Sequence, residues 1–92
     1  MARPLVSVVI PVRDERKETV LALCYALTRE ATEALEILVV DDGSVIPVPS
    51  AIRHETPRGY GAAIKSGITR AQGEIILTMD GDAQHSATDA MR

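Results

Sequence analysis

Two carboxylates stand two residues apart, at Asp80 and Asp82, directly after an apolar run at residues 75–77. In an extended segment this spacing places both side chains on the same side, and Gln84 continues the register. Two carboxylates and an amide oxygen suit a hard divalent ion such as Mg²⁺ or Mn²⁺, which commonly holds a nucleotide's phosphates. Asp-Gly-Asp is also an ordinary turn sequence, so the motif alone leaves a plain strand-to-loop turn open.

The composition is that of one small domain covering residues 1–92. Hydrophobic residues make up 46% of the chain and two tyrosines are its only aromatic residues, so the core must be aliphatic. The net charge of −3 and the lack of a lysine- or arginine-rich cluster argue against a nucleic-acid-binding surface.

A single cysteine, Cys24, cannot form an internal disulfide, which favours a reducing compartment. Its neighbours at helical spacing are apolar, so we expect an inert thiol in the core. The first residues lack the pattern of a signal peptide, and no apolar run approaches the ~20 residues of a membrane span. These features predict a cytoplasmic chain without a membrane span.

Three apolar, largely β-branched runs predict strands that are covered on both faces, as in a parallel sheet. They are residues 5–10, 37–40 and 74–79. Residues 51–55 predict a shorter, weaker strand. Pro11 is expected to end the first strand, because proline cannot donate a hydrogen bond to the ladder.

Helical periodicity separates these strands. Five residues of the first helix share one apolar face: Val20, Leu23, Cys24, Leu27 and Ala31. Residues 59–61 open a second helix, in which Gly67 allows a close approach to the sheet, and a third helix is expected from Ser86 onward. The resulting order, β-α-β-loop-β-α-β, predicts an α/β fold, a Rossmann-like three-layer sandwich with a mostly parallel sheet.

Polar residues follow three of the predicted strands, at residues 11–15, 41–44 and 80–84. In parallel sheets, ligands bind outside the carboxyl ends of the strands, so these segments predict one shared site. Three known nucleotide or ion motifs do not fit: the dinucleotide fingerprint lacks its third glycine, there is no phosphate-binding P-loop, and the calcium-loop pattern fails at His85 and Met91.

Four sequence pieces together resemble the family 2 glycosyltransferases, whose catalytic domain has the GT-A fold. They are residues 8–15 (VVIPVRDE), 36–44 (EILVVDDGS), 58–63 (RGYGAA) with 71–74 (AQGE), and 79–85 (MDGDAQH). The last piece is most similar to members that transfer a sugar to a polyprenyl phosphate, as dolichyl-phosphate mannosyltransferase does.

The resemblance implies a nucleotide-sugar site for a UDP- or GDP-linked donor, with a polyprenyl phosphate as acceptor and inversion at the anomeric carbon. The implied nucleotide-binding residues are Pro11, Arg13, Glu15, Val40, Asp42, Asp80, Gly81 and Asp82. Asp42 would accept a hydrogen bond from the base. Asp80, Asp82 and Gln84 would hold Mg²⁺ or Mn²⁺, and no catalytic base is implied within these 92 residues.

Three features depart from the family pattern. Asp14 stands where the family usually has asparagine. The chain has only residues 45–50 where family members normally carry a crossover helix before the short strand, which predicts a poorly covered sheet face. The resemblance reaches only the front half of a family domain, so the implied fold is a truncated GT-A fold.

Two other interpretations remain open at the level of sequence. The chain could be a non-catalytic nucleotide-binding remnant or an oligomerising module, or it could be a receiver-like switch domain with Asp41, Asp42 and Asp80 as its acidic residues. If the last strand lies at an edge of the sheet, its apolar residues also predict a homo-oligomer that forms through that edge.

Overall fold

Six regular elements alternate along residues 4–80, the part of the chain that the computed structural model describes. They are β1 (Val6–Val12), α1 (Lys17–Glu30), β2 (Leu35–Asp42), β3 (Ile52–His54), α2 (Tyr60–Arg70) and β4 (Ile75–Thr78). This order confirms the predicted alternation of strands and helices. The predicted third helix lies outside the described residues, and a single domain over residues 1–92 stays a prediction.

The four strands form one parallel sheet in the order β3-β2-β1-β4. Strand β1 is central and pairs with β2 along its whole length, from Val6 beside Leu35 to Val12 beside Asp41. On its other side, β4 pairs only with the first four residues of β1. The carboxyl end of β1 therefore projects beyond β4.

Alternation along β1 sends its side chains into two separate apolar clusters. Val8 and Ile10 pack with the buried face of α1, where Leu27 is fully buried. Val9 points the other way and packs with Ala63 of α2. The helices thus cover opposite faces of the sheet, which confirms the predicted three layers.

Gly67 brings α2 close to the sheet, as the sequence predicts. A Cβ atom built at this position would overlap the Cγ1 atom of Val9, so no larger residue fits without a shift. The close approach sets the position of the amino-terminal end of α2, which borders the cavity described below.

The prediction that Pro11 ends the first strand is wrong, because β1 continues through Pro11 to Val12. The carbonyl oxygens of Leu5 and Val9 accept hydrogen bonds from the amides at Ile75 and Met79, so odd-numbered residues of β1 face β4. Pro11 follows the same alternation but lies beyond the β4 ladder. Proline is tolerated here because no neighbouring strand needs its missing N–H.

Residues 43–51 connect β2 to β3 without a regular helix, and the two strands still pair in parallel. Val48 folds back and is buried against the α1 side of the sheet, whereas Val45 and Ile46 are almost fully exposed. Residues 35–39 of β2 are only half-buried. This part of β2 is less covered than β1, and it lies beyond β3, which pairs only with residues 40–42.

Strand β4 is the outer strand on one side of the described sheet, and its side chains Ile75 and Ile76 are 50% and 39% exposed. Neither α1 nor α2 is long and apolar enough to cross a membrane. Cys24 is partly buried against the core, and burial raises the pKa of its thiol, which fits the inert role that the sequence predicts.

Candidate functional site

A cavity of about 350 Å³ lies at the carboxyl ends of β1 and β2, beside the first residues of α2. Its lining consists of Pro11, Val12, Arg13, Glu15, Asp42, Gly59, Tyr60, Ala63 and Asp80. Five residues that the sequence analysis assigned to a nucleotide site meet here: Pro11, Arg13, Glu15, Asp42 and Asp80. Their roles in binding stay predictions.

The unequal lengths of β1 and β4 create the space for this cavity. Val9 of β1 pairs with Thr78, the last residue of β4. Continuing that register by two residues brings Asp80 alongside Pro11, on the side where β1 has no further partner strand among residues 4–80. Asp80, which follows the end of β4, therefore lines the cavity.

Val40 is not brought to the cavity. Its side chain is fully buried between the sheet and α2, in the same cluster as Val9 and Ala63. Gly81, Asp82 and Gln84 lie outside the described residues, and their roles stay predictions. Within residues 4–80, no three carboxylate, imidazole or thiol groups are arranged to hold a metal ion.

Asp42 is 5% exposed, and both of its carboxylate oxygens are engaged inside the protein. Oδ1 accepts hydrogen bonds from Nδ1 of His54 and from the amide of Arg58, each at 2.8 Å, and Oδ2 accepts one from the amide of Gly59 at 2.9 Å. Burial acts to raise the pKa of Asp42, but these donors outweigh it and hold the pKa below its usual value. The sequence analysis predicted that this carboxylate binds the nucleotide base. In the structure it holds the backbone of Arg58 and Gly59 at the wall of the cavity.

His54 is a functional candidate that sequence reasoning missed. Its imidazole is 5% exposed and bridges Asp42 to the hydroxyl of Ser66 on α2, which lies 2.8 Å from Nε2. The β2–β3 register places His54 directly beside Asp42. A signal was present in the sequence, since each is the last residue of a neighbouring strand, but the register could not be known without the structure.

Asp41 points to the opposite face of the sheet and is fully buried. Its carboxylate accepts hydrogen bonds from the amides of Ser44 and Val48 and from Nη1 of Arg53, all at 2.9 Å. Burial acts to raise the pKa of Asp41, and these donors more than compensate, so the pKa lies below its usual value. Asp41 thereby folds the connection between β2 and β3, away from the cavity.

Asp14 joins the end of β1 to that same connection. Its amide donates to the hydroxyl of Ser44, and its carboxylate accepts a hydrogen bond from the amide of Val45. Asp14 has a φ of 58°, a left-handed conformation that asparagine and aspartate tolerate better than other residues with side chains. Aspartate meets this backbone requirement as well as the asparagine that is usual in the family that the sequence resembles.

The cavity combines an apolar floor with a charged rim. Pro11, Val12 and Ala63 are buried, whereas Arg13 and Asp80 are exposed and Glu15 is half-buried. The two carboxylates outnumber the single arginine, so these rim side chains together carry a net negative charge. The arrangement suits a ligand with a flat or apolar part that lies on the floor and a polar part that reaches the charged rim.

The sequence profile described as Glycosyl transferase family 2 matches residues 7–90 of the 92. The chain belongs to glycosyl transferase family 2. Membership of this family removes the support for a receiver-like switch domain.

Two curated relatives of this family 2 chain carry the same name. An undecaprenyl-phosphate 4-deoxy-4-formamido-L-arabinose transferase from Pseudomonas syringae is 34% identical over 103 aligned residues, covering 95% of the chain and 31% of that protein. A transferase of the same name from Photorhabdus laumondii is 34% identical, with 95% and 32% covered. The alignments are longer than the chain, so the relatives carry residues that it lacks, and the short β2–β3 connection is the expected place.

Among solved structures, this family 2 chain is similar to a mannosyltransferase from Pyrobaculum calidifontis in complex with GDP-mannose and Mn²⁺. The TM-score is 0.77 at 25% identity, and the match covers 98% of the chain and 31% of that protein. The likeness confirms the α/β fold of GT-A type. The chain spans about a third of the length of the relatives it matches.

Proposed function

We propose that this chain forms the donor-binding part of a glycosyltransferase, which takes a glycosyl group from a nucleoside diphosphate sugar. The observation that carries the proposal is the cavity at the carboxyl edge of the sheet. Three of the four chain segments that line it, at residues 11–15, at Asp42 and at Asp80, are those that the sequence analysis assigned to one nucleotide site. Membership of glycosyl transferase family 2 and the likeness to a mannosyltransferase complexed with GDP-mannose support it.

The cavity's two kinds of surface match the two parts of a nucleotide. The base and ribose would lie on the apolar floor near Pro11 and Ala63, beside the exposed ring of Tyr60. The diphosphate would extend toward the rim, where Arg13 supplies positive charge. Such a division lets a few polar groups set the orientation of a mostly apolar contact.

A divalent ion completes the proposed site, held by Asp80 together with Asp82 and Gln84. The carboxylates of Glu15 and Asp80 at the cavity would repel a diphosphate unless a cation lay between them. The Mn²⁺ in the complex of the similar mannosyltransferase supports a metal of this class. When bound, Mg²⁺ or Mn²⁺ would stabilise the diphosphate leaving group as a Lewis acid.

The proposed acceptor is a polyprenyl phosphate. The support comes from the names of the curated relatives, which are undecaprenyl-phosphate glycosyl transferases. We also propose that the donor site lies in the cytoplasm, in keeping with the single cysteine.

The direct test is a calorimetric titration of the chain with UDP and with GDP, each with and without Mn²⁺. We expect one of the two nucleotides to bind, and only when the metal is present. Asp82→Ala should abolish this metal-dependent binding while the circular dichroism spectrum stays unchanged. Asp89→Ala removes the same charge from a neighbouring position outside the motif, so it serves as the matched control and should bind as the wild type does.

Binding without turnover would favour the second interpretation, a nucleotide-binding module without catalysis. The specific observation behind it is that the cavity lies within residues 4–80, while the relatives are about three times longer than the chain. The absence of binding in a folded sample, with and without Mn²⁺, would overturn the nucleotide-site proposal itself.

We also propose that the chain forms a homo-oligomer through β4. Its residues Ile75 and Ile76 are exposed, and β4 is the outer strand among residues 4–80, so a second copy can pair with it about a two-fold axis. Sedimentation at increasing concentration should show association, which Ile75→Lys should prevent. Leu21→Lys also replaces an exposed aliphatic side chain with lysine, but on α1, and this variant should still associate. A wild-type chain that stays monomeric throughout would overturn this proposal.

A further inference from the structure

Three side chains form a hydrogen-bonded relay that links the sheet, the cavity wall and α2. Asp42 ends β2, His54 ends β3 and Ser66 lies in α2, so each belongs to a different element. The two links, from Asp42 Oδ1 to His54 Nδ1 and from His54 Nε2 to Ser66 Oγ, are both 2.8 Å. The histidine is almost completely buried between its two partners.

The direction of these hydrogen bonds follows from the chemistry of the partners. An ionised carboxylate can only accept, so Nδ1 of His54 carries the proton and donates to Asp42. In the neutral imidazole Nε2 then accepts from the hydroxyl of Ser66. The arrangement fixes one tautomer of His54 and leaves each of the three groups with a partner.

An aspartate, a histidine and a serine in this order are also the parts of a hydrolytic triad. Here the serine lies in the interior of a helix and does not line the cavity, and a nucleophile needs access to a substrate. The cavity instead contains Asp42 at the other end of the relay. The geometry therefore favours a positioning role over a nucleophilic one.

Asp42 connects the relay to the wall of the cavity through hydrogen bonds to the backbone. Its oxygens accept the amide hydrogens of Arg58 and Gly59, directly before α2 begins. Gly59 has a φ of 104°, a conformation that glycine adopts readily and residues with side chains rarely do, so this turn depends on glycine at this position. Gly59 and the following Tyr60 both line the cavity.

We propose that His54 is a positioning residue of the cavity, which together with Ser66 orients the Asp42 carboxylate so that it holds the Arg58–Gly59 backbone in place. The relay joins the end of β2 to α2, so it fixes the cavity wall relative to both layers that form it. The effect of the relay on ligand affinity rests on the proposed nucleotide site. Its effect on the Arg58–Gly59 backbone does not.

Amide hydrogen exchange of the free protein, measured by NMR, tests the proposal without a ligand. His54→Asn keeps a donor near the position of Nδ1, whereas His54→Gln places its amide near Nε2 and loses the donor to Asp42. We expect exchange at Arg58 and Gly59 to be about tenfold faster in the glutamine variant and close to wild type in the asparagine variant. Amides of the β1–β2 ladder serve as the internal reference and should change little.

A second variant keeps the test decisive if the buried histidine cannot be replaced without unfolding. Ser66→Ala removes the outer partner at a half-buried helix position and should speed exchange at Arg58 and Gly59 by a few fold. Thr69→Ala, on the same helix, removes a hydroxyl that donates to the carbonyl of Lys65 within α2 and should leave both amides unchanged. If Arg58 and Gly59 exchange equally fast in the wild type, in His54→Gln and in Ser66→Ala, the proposal is overturned.

Nucleotide titration then separates this proposal from the function proposed above. With GDP or UDP and Mn²⁺, His54→Gln should bind about tenfold more weakly than His54→Asn. A wild-type chain that binds neither nucleotide, but shows the expected exchange pattern, would overturn the proposed function alone. Wild-type-like affinity in a His54→Gln variant with unprotected Arg58 and Gly59 would overturn the role of the relay in binding.

Discussion

Asp41 and Asp42 are neighbours in sequence, yet they organise different regions of the molecule. Asp41 points to the α1 side and folds the connection between β2 and β3 around a buried carboxylate. Asp42 points to the α2 side and holds the turn that borders the cavity. Because side chains alternate along a strand, neighbouring residues can have different roles: Asp41 stabilises the β2–β3 connection, whereas Asp42 supports the cavity.

The comparison shows how a strand end can serve stability and binding at once. Both carboxylates accept three hydrogen bonds, and both have a pKa below the usual value. They differ in what they support, since the Asp41 connection carries exposed Val45 and Ile46, whereas the Asp42 turn lines the cavity. Changes at Asp41 should therefore act mainly on stability, and changes at Asp42 mainly on ligand affinity.

The largest expected effect is on folding, from Asp41→Ala. Removing this carboxylate leaves the guanidinium of Arg53 without its buried partner and frees the amides of Ser44 and Val48. We expect the free energy of unfolding to fall by about 3–5 kcal/mol in urea denaturation. Glu55→Ala removes an exposed carboxylate 4.0 Å from the same arginine and should cost less than about 0.5 kcal/mol. Similar losses in the two variants would contradict the central role of Asp41.

A smaller effect on folding, with a larger one on binding, is expected from Asp42→Asn. The side-chain amide nitrogen cannot accept a hydrogen bond, so at least one of the three bonds is lost and the cavity wall loosens. We expect a loss of about 1–2 kcal/mol in stability and about a tenfold loss in nucleotide affinity measured by calorimetry. If Asp42→Asn lowers stability more than Asp41→Ala and leaves affinity unchanged, the division between the two aspartates is wrong.

Acid should remove the contributions of both carboxylates together. Each has a folded-state pKa below its value of 3.8 in the unfolded chain, so each stabilises the fold fully only above that value. The free energy of unfolding should fall as the pH drops through 3.8 and on through the lower folded-state pKa. Urea denaturation over this range should show a shallower fall in Asp42→Asn than in the wild type. A slope that stays the same would mean that Asp42 has an ordinary pKa.

The smallest effect is expected at Asp14, which belongs to the Asp41 side of the comparison. Asp14→Asn keeps both the left-handed backbone and an acceptor for the amide of Val45, so stability should change by less than about 0.5 kcal/mol. Asp14→Ala loses the acceptor and fits a φ of 58° poorly, so it should cost about 1–2 kcal/mol. Equal stability of the two variants in urea would show that neither feature matters.

The strands and helices could be predicted because each is encoded by a pattern within its own stretch of sequence. Apolar runs marked the strands and the spacing of Val20, Leu23 and Leu27 marked α1. Pro11 misled the prediction of where β1 ends, because its effect depends on which side of the strand has a neighbour. That information exists only once the strand order is known.

The candidate site could be predicted as a region but not as a set of contacts. Residues that follow strands, such as Arg13 and Asp80, reach the cavity because the carboxyl ends of parallel strands share one edge. The sequence did not reveal that Val40 is buried under α2 or that His54 contacts Asp42. Burial and hydrogen bonding depend on cross-strand register and on how closely α2 packs. Sequence spacing carries neither quantity.

Tyr60, on the wall of the cavity, gives the molecule a spectroscopic property of its own. The chain has two tyrosines and no tryptophan, and the other tyrosine, Tyr25, lies on α1 with the guanidinium of Arg29 5.8 Å from its ring centroid. In a Tyr25→Phe variant, all tyrosine fluorescence would come from Tyr60 at the cavity. The natural sequence thus contains an optical reporter at the place where occupancy matters, and it can be read without attaching a dye.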